Sequence, residues 1–178
     1  PGDVSDVLLF SQLLLAVFAL FVVGEVTLRG KECLFIYRMT PSGVGRLVKA
    51  RLLQGWILAV PFAATVMAIS MTRIPQITFI SLLTGTGIVT LTTAANVAFA
   101  LGLSLLNPAF SDKSGSFMAN VFIVPNVSLA LTIAANEFLA YPYSIPPLQS
   151  LLYFTTPMSW LVGIVTLYLG KRKLDALE

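Results

Sequence analysis

Long apolar runs, separated by short polar segments, form the main pattern of this chain. The runs cover residues 7–24, 52–71, 77–106, 117–139 and 151–170. They do not alternate with a period of two, so they favour helices over the strands of a membrane barrel. At about 1.5 Å per residue, even the shortest run just crosses the roughly 30 Å hydrocarbon layer of a bilayer. The pattern predicts an all-α transmembrane helical bundle with about five spans, in a single domain over residues 1–178.

The composition also points to a membrane rather than to water. Hydrophobic residues make up 57% of the chain and charged residues 11%, whereas soluble domains carry about 25% charged residues. A soluble fold of this length could not bury so much apolar surface, so the bilayer is the expected solvent.

The residue types that are missing exclude several kinds of enzyme. The chain has no histidine and one cysteine, Cys33. Without histidine there is no basis for a Ser–His hydrolase, a His-ligated zinc protease, a haem site with His ligands or a desaturase-like di-iron site. The apolar runs also lack aspartate, so a paired-aspartate protease is unsupported. We therefore predict no catalytic residue, no metal site and no cofactor bound by this chain.

Positive charge is concentrated between the first two runs. Six of the eleven Lys and Arg residues lie there, namely Arg29, Lys31, Arg38, Arg46, Lys49 and Arg51. Placing alternate connectors in the cytoplasm puts ten cations inside and one outside, as expected from the excess of Lys and Arg in cytoplasmic loops. The predicted topology in the plasma membrane has the amino end outside and the carboxyl end in the cytoplasm. Because the cations flank membrane spans, we predict no nucleic-acid partner.

This cationic connector has the pattern of two helices joined by a turn. The stretch "KECLFIYRM" contains no Gly or Pro, and Lys31 and Arg38 fall on nearly the same side of a helix. Thr40 then suits an N-cap, and Pro41 suits the first position of a helix that runs through Lys49 into the second span. Such an elbow either docks a partner protein or anchors the chain at lipid headgroups, and we favour docking.

These motifs resemble the membrane subunits of ATP-binding-cassette (ABC) transporters of the type-2, exporter-like permease class. The connector is similar to that family's in its "RGKE" start, the apolar helix "CLFIYRM", the "TPS" turn and a later lysine, Lys49. The segment "LGLSLLNPAFSDKSGSFMANVFIVP" resembles the family's inner loop and the span after it. The segment "YPYSIPPLQSLLYFTTPMSW" resembles the outer segment before the last span.

The resemblance implies that the connector is a coupling-helix region that docks into a groove of a separate nucleotide-binding ATPase subunit. On this basis the docking residues are Glu25, Arg29, Gly30, Lys31, Glu32, Arg38, Thr40, Pro41, Arg46 and Lys49. ATP and Mg²⁺ would bind to that ATPase, and a second permease half, identical or homologous, would complete the pathway. The family usually has six spans per unit, so we expect a further span before Pro1. The step from Gly30 to Pro41 is longer than the family's usual spacing.

Small residues mark faces of the third run. Ala94, Ala98 and Gly102 recur every four residues on one face, and Ser81 and Gly85 do likewise. Small residues let helices approach closely in lipid. These faces are candidates for packing within the chain, for a dimer contact or for a pathway.

Two polar residues inside apolar runs are further candidates. Asn96 lies mid-span, where an amide that faces lipid is costly, so it either hydrogen-bonds inside the bundle or lines a pathway. Glu137 lies near the predicted outer end of the fourth run, either at the membrane interface or in an outer gate.

The leading hypothesis for function is therefore an ABC permease subunit. The stretch "GTGIVT" lacks the spacing and the Lys-Ser/Thr of a P-loop, so we expect ATP hydrolysis to belong to a partner. An ion-coupled secondary transporter is the alternative, although such proteins use ionisable residues at mid-membrane. A non-transporting membrane scaffold subunit is the third hypothesis.

Overall fold

A computed structural model describes residues 4–29, 43–74, 77–107 and 115–175 of the chain. These residues form helices joined by short turns. The main helices are α1 (Val4–Arg29), α2 (Gly43–Thr72), α3 (Phe79–Leu106), α4 (Gly115–Ala135), α5 (Pro147–Ser150) and α6 (Thr156–Asp175). The predicted all-α helical bundle is confirmed. The predicted helix that carries Lys49 into the second span agrees with the uninterrupted course of α2.

Four helical segments are long and apolar enough to cross a membrane. They are Gly45–Thr72, Phe79–Leu106, Gly115–Tyr143 and Leu148–Leu174. In α1 the apolar stretch Val7–Val23 is shorter than these four. The four segments indicate an integral membrane protein, and the fifth predicted span stays a prediction.

Two of the spanning segments contain a wider helical turn. The π-helix Asn136–Ala140 extends α4 towards Tyr141–Tyr143, and the π-helix Leu151–Thr155 joins α5 to α6. Between them Ser144 adopts the left-handed conformation, with φ of 52°, and reverses the chain. The stretch "YPYSIPP" therefore contains the reversal at Ser144 and the beginning of α5.

Helix α3 is the centre of the bundle. Of the residues in its apolar window 83% are buried, against 22–33% for the other three spanning segments. Its ends are defined by polar contacts: Thr78 Oγ1 accepts the backbone N–H of Ser81 at 3.2 Å, and Lys173 Nζ donates to the carbonyl of Leu106 at 2.6 Å. A lysine at that position satisfies a carbonyl that the helix itself leaves free.

Contact between α3 and α6 is made backbone to backbone through glycines. A Cβ atom placed on Gly102 would lie 2.5 Å from the carbonyl carbon of Thr166, and one on Gly170 would lie 2.7 Å from the carbonyl oxygen of Gly102. A Cβ on Gly163 would lie 2.8 Å from the carbonyl oxygen of Ala95. Later residues of α6 thus meet later residues of α3, so the two helices run parallel.

The other neighbours of α3 fix the remaining helix directions. Trp56 Nε1 in α2 donates to the carbonyl of Ala94 at 3.0 Å, while a Cβ on Gly85 would meet Met71 near the other end of α2. Helix α2 is therefore antiparallel to α3. Helix α4 is antiparallel as well, because Asn120 bonds to Asn107 near its start and Ser128 meets Asn96 further along.

Helix α1 runs in the same direction as α3. Leu8 belongs to the cluster that contains Ile88, and Val23 belongs to the cluster that contains Val97. The five long helices thus alternate in direction along the chain, as consecutive crossings of a membrane would.

Adding a methyl group at Gly102 is expected to separate α3 from α6. Because the new Cβ would meet backbone atoms, which cannot rotate away, Gly102→Ala should lower the free energy of unfolding by about 1–3 kcal/mol. The matched control is Gly87→Ala in the same helix, where a Cβ would have nothing within 4 Å.

The measurement is unfolding of the purified protein in mixed micelles, followed by circular dichroism as denaturing detergent is added. Gly87→Ala should leave the free energy of unfolding unchanged or raise it by up to about 1 kcal/mol, since alanine favours helix over glycine. Equal stability of the two variants would contradict the glycine contact.

Candidate functional site

A layer of buried polar side chains crosses the middle of the bundle. We define this polar layer as Gln12, Thr92, Asn96, Ser128, Thr132, Thr155 and Ser159, which are all between 1% and 4% exposed. Helices α1, α3, α4 and α6, with the π-helix before α6, each contribute to it. The layer therefore lies where the long helices meet and away from their lipid-facing sides.

Hydrogen bonds connect most of the layer. Thr132 Oγ1 lies 2.7 Å from Gln12 Oε1 and 3.0 Å from the carbonyl oxygen of Ser128. Asn96 Nδ2 donates to Ser128 Oγ at 3.5 Å, and Thr155 Oγ1 donates to the carbonyl of Leu131 at 3.4 Å. These bonds join α1, α3 and the α6 segment to the same two turns of α4.

The Gln12 side chain is only partly satisfied by its contact with Thr132. Thr132 has one hydroxyl hydrogen, so it donates to either Gln12 Oε1 or the Ser128 carbonyl at any moment. If the Gln12 carboxamide were rotated by 180°, its Nε2 could donate to Thr132 Oγ1. The Thr132 hydroxyl could then donate to the carbonyl oxygen of Ser128. In the observed orientation Gln12 Nε2 has no partner among the described residues, and the same holds for Ser159 Oγ. Unpaired buried polar atoms cost free energy, so this part of the layer favours a polar guest such as water.

The chemistry of the layer is hydrogen bonding without charge. Its members carry amides and hydroxyls, which donate and accept but do not ionise in the physiological range. Transporters driven by an ion gradient place ionisable side chains at this depth. The layer can bind polar groups, but none of its side chains carries a charge.

A second feature, the basic end, lies at one end of the bundle. We define it as Arg46, Lys49, Arg51, Lys171, Arg172 and Lys173. A Cβ on Gly45 would lie 3.9 Å from Lys171 Nζ, which brings the start of α2 against the end of α6. Within the described side chains the one carboxylate is Glu137, and the antiparallel course of α4 puts it towards the opposite end.

Most of the predicted docking residues fall outside what the structure describes. The backbone of α1 includes Glu25 and Arg29, whose side chains are not described. Gly30, Lys31, Glu32, Arg38, Thr40 and Pro41 all lie outside the described residues. Arg46 and Lys49 are exposed on the first turns of α2. Since α1 ends and α2 begins at the basic end, both attachment points of the connector lie there.

The predicted small-residue faces make contacts within the chain. Ala98 and Gly102 lie against α6, and the carbonyl of Ala94 accepts the Trp56 indole. Gly85 lies against Met71 of α2. Ser81 is instead in the first turn of α3, where its hydroxyl lies 2.8 Å from that of Thr78.

The two predicted polar candidates lie in different settings. Asn96 is buried in the polar layer and bonds to Ser128. Glu137 is exposed in the π-helix that extends α4.

Sequence reasoning missed Gln12, Ser128 and Thr132. Gln12 could have been noticed, because it is the single amide side chain in the run 7–24. The serine and the threonine carry a weaker signal, because hydroxyls in a membrane helix commonly bond to their own backbone.

Comparison with known proteins adds no relative: no family model, curated protein or solved structure matches the chain.

The Gln12–Thr132 contact can be tested with a double-mutant cycle. Thr132→Val should lower the free energy of unfolding by about 1–2 kcal/mol, because it leaves the Gln12 amide without its described partner. Gln12→Leu should cost less, since it removes an amide that already has an unpaired atom. We expect a coupling energy of about 0.6–1.7 kcal/mol, the range found for hydrogen bonds between membrane helices.

The control pair combines Gln12→Leu with Ser104→Ala. Ser104 is equally buried but donates to the carbonyl of Ala100 in its own helix, two turns beyond Asn96. That pair should be additive within about 0.5 kcal/mol. If Gln12 couples no more strongly to Thr132 than to Ser104, the contact does not join α1 to α4.

Proposed function

We propose that this chain is the membrane permease subunit of an ABC transporter, which moves a substrate across the membrane with ATP hydrolysed by a separate ATPase subunit. The observation that carries the proposal is the position of the connector's two ends. The end of α1 and the start of α2 both lie at the basic end, and Gly45 in α2 lies beside Lys171. A partner bound to the connector would therefore act on two long helices at once.

The charge of the basic end supports this assignment. In the proposed topology this end faces the cytoplasm, where an excess of Lys and Arg is normal and where ATP is found. Arg46 and Lys49 are exposed there. Together with the residues of the connector, they form the docking surface for the ATPase.

We assign ATP hydrolysis to a separate subunit because the glycine-rich stretch among the described residues is not free to hold nucleotide phosphates. The glycines of "GTGIVT" lie inside α3, where the backbone N–H groups are already used in helix hydrogen bonds. A P-loop needs those groups free to surround phosphate oxygens. In this proposal ATP and Mg²⁺ bind to the partner subunit, and catalysis is assigned to that subunit.

The two kinds of helix contact suggest how movement at the connector reaches the membrane interior. Helices α3 and α6 touch through backbone atoms at Gly102 and Gly170, so they move as one body. Helix α1 meets α4 in the polar layer through the side-chain bond between Gln12 and Thr132. Closure of the ATPase subunits displaces the ends of α1 and α2, breaks this bond and opens the polar layer to a substrate. Such coupling requires two states in which the connector binds the partner differently.

Charge reversal tests the docking surface. Copurification with the ATPase should fall at least about tenfold for Arg38→Glu combined with Arg46→Glu, because a charged group that loses its partner in an interface costs about 2–5 kcal/mol. The measurement is recovery of the ATPase with tagged permease from detergent-solubilised membranes, together with substrate uptake into vesicles.

The matched control is Arg73→Glu, which reverses an exposed arginine at the opposite end of α2. It should leave both readouts unchanged. Normal recovery and normal transport in the double variant would show that the docking surface is assigned wrongly.

A further inference from the structure

One exposed side of α4, continued by the π-helix after it, carries two polar residues among apolar ones. We define the α4 stripe as Phe122, Asn126, Ala130, Ile133 and Glu137, which are all exposed. At 100° per residue, positions 126 and 137 differ by only about 20° around the helix axis. One side of a membrane-spanning helix therefore presents an amide and a carboxylate.

Asn126 is far from both ends of its span. It lies eleven residues after Gly115 and seventeen before Tyr143, the ends of the apolar segment. The exposed residues of α1 and α6 nearest this level, such as Phe21 and Val165, are apolar. On α2 the exposed amide of Gln54 already accepts a hydrogen bond from Arg51. An amide at this position has no counterpart among lipid tails, which neither donate nor accept hydrogen bonds.

The hydrogen bonding of Asn126 is incomplete. Its Nδ2 donates to the carbonyl of Phe122 at 2.7 Å, which uses one of its two N–H groups. Among the residues that the structure describes, this is the one hydrogen bond of the side chain. Its second N–H group and its Oδ1 remain available, so the amide can both donate to a partner and accept from it.

We propose that the α4 stripe is the contact surface for a second copy of this chain. Two copies related by a two-fold axis along the membrane normal place the same residue of each at the same depth. One Asn126 amide then donates to the other and accepts from it, so the pair satisfies itself without a different partner. Amides that bond across helices stabilise association in membranes.

The neighbours of Asn126 suit such a contact. Ala130, one turn further on, is small enough to let two helices approach closely. Phe122, one turn earlier, is 66% exposed and supplies apolar area next to the amide. Glu137 lies about 16 Å beyond Asn126, towards the end of the span. Water at that level weakens the repulsion between the Glu137 carboxylates of the two copies. The proposal rests on the proposed function, which needs a second permease half, and names the surface that half would cover.

Cysteine cross-linking tests the contact. In a Cys33→Ser background, Asn126→Cys and Ala130→Cys should each give a disulfide-linked dimer when membranes are oxidised, with the mass of two copies on a non-reducing gel. The control is Ile57→Cys on α2, which is 62% exposed. Its depth is comparable to that of Asn126, because both lie close to residues that contact the same part of α3. Trp56 contacts Ala94, and Ser128 contacts Asn96. It should remain monomeric.

A substitution without cysteine gives an independent measure. Asn126→Leu keeps the size of the side chain but removes the amide, so it should weaken dimerisation about three- to tenfold, as loss of an interhelical hydrogen bond does. Energy transfer between fluorescent copies diluted in lipid measures this shift. The conservative Asn126→Gln should retain most of the association.

Each result decides the proposal. Cross-linking no stronger than at Ile57, a cross-linked product of any other mass, or unchanged dimerisation in Asn126→Leu would overturn it. The assays are made without the ATPase, so loss of ATPase docking would leave the dimer intact. A monomeric permease that still binds the ATPase would refute only the contact surface.

Discussion

Backbone contact between α3 and α6 is the constraint on which the rest of the bundle depends. In lipid there is little hydrophobic gain when two apolar helices meet, so association relies on close packing and on hydrogen bonds. Gly102, Gly163 and Gly170 allow main-chain atoms to touch where any larger residue would hold the helices apart. Helix α6 packs more extensively on α3 than any other helix does, and the pair gives α2, α1 and α4 a surface to pack on. The basic end follows from the same geometry, because parallel α3 and α6 bring Lys173 to the carbonyl of Leu106.

Contacts become less rigid away from this pair. Helix α2 adds one indole hydrogen bond, from Trp56 to Ala94, and stacking of Phe62 on Phe18 at 4.3 Å. Helices α1 and α4 meet through Gln12 and Thr132 in a layer where some polar atoms lack described partners. The α3–α6 pair is thus the part least able to change. In the proposed function, α1 and α2 are the helices that a bound ATPase would displace, because both flank the connector.

The sequence predicts the helices well and their neighbours poorly. Long apolar runs require helices in a bilayer, so each predicted span has a helix at its position. The small residues of α3 can be recognised in the sequence, but their partner cannot, because the small face of one helix does not reveal which other helix it contacts. Matching Gly163 and Gly170 to Gly102 requires the three-dimensional structure. Likewise, the mid-span position of Asn96 can be predicted, while its bond to Ser128 depends on the relative position of two helices along their axes. The docking assignment comes from motif resemblance, and most of its residues lie outside the described structure.

Distance measurement between spin labels tests the central claim that ATP at a partner moves α1 around a fixed α3–α6 pair. In a Cys33→Ser background, one pair of labels replaces Phe21 on α1 and Leu91 on α3, and a second pair replaces Leu91 and Ile164 on α6, all of them exposed. The complex with the ATPase is compared without nucleotide and with a non-hydrolysable ATP analogue. We expect the distance between positions 21 and 91 to change on nucleotide binding, while the distance between 91 and 164 stays constant. No change between 21 and 91, or a larger change between 91 and 164, would contradict the account.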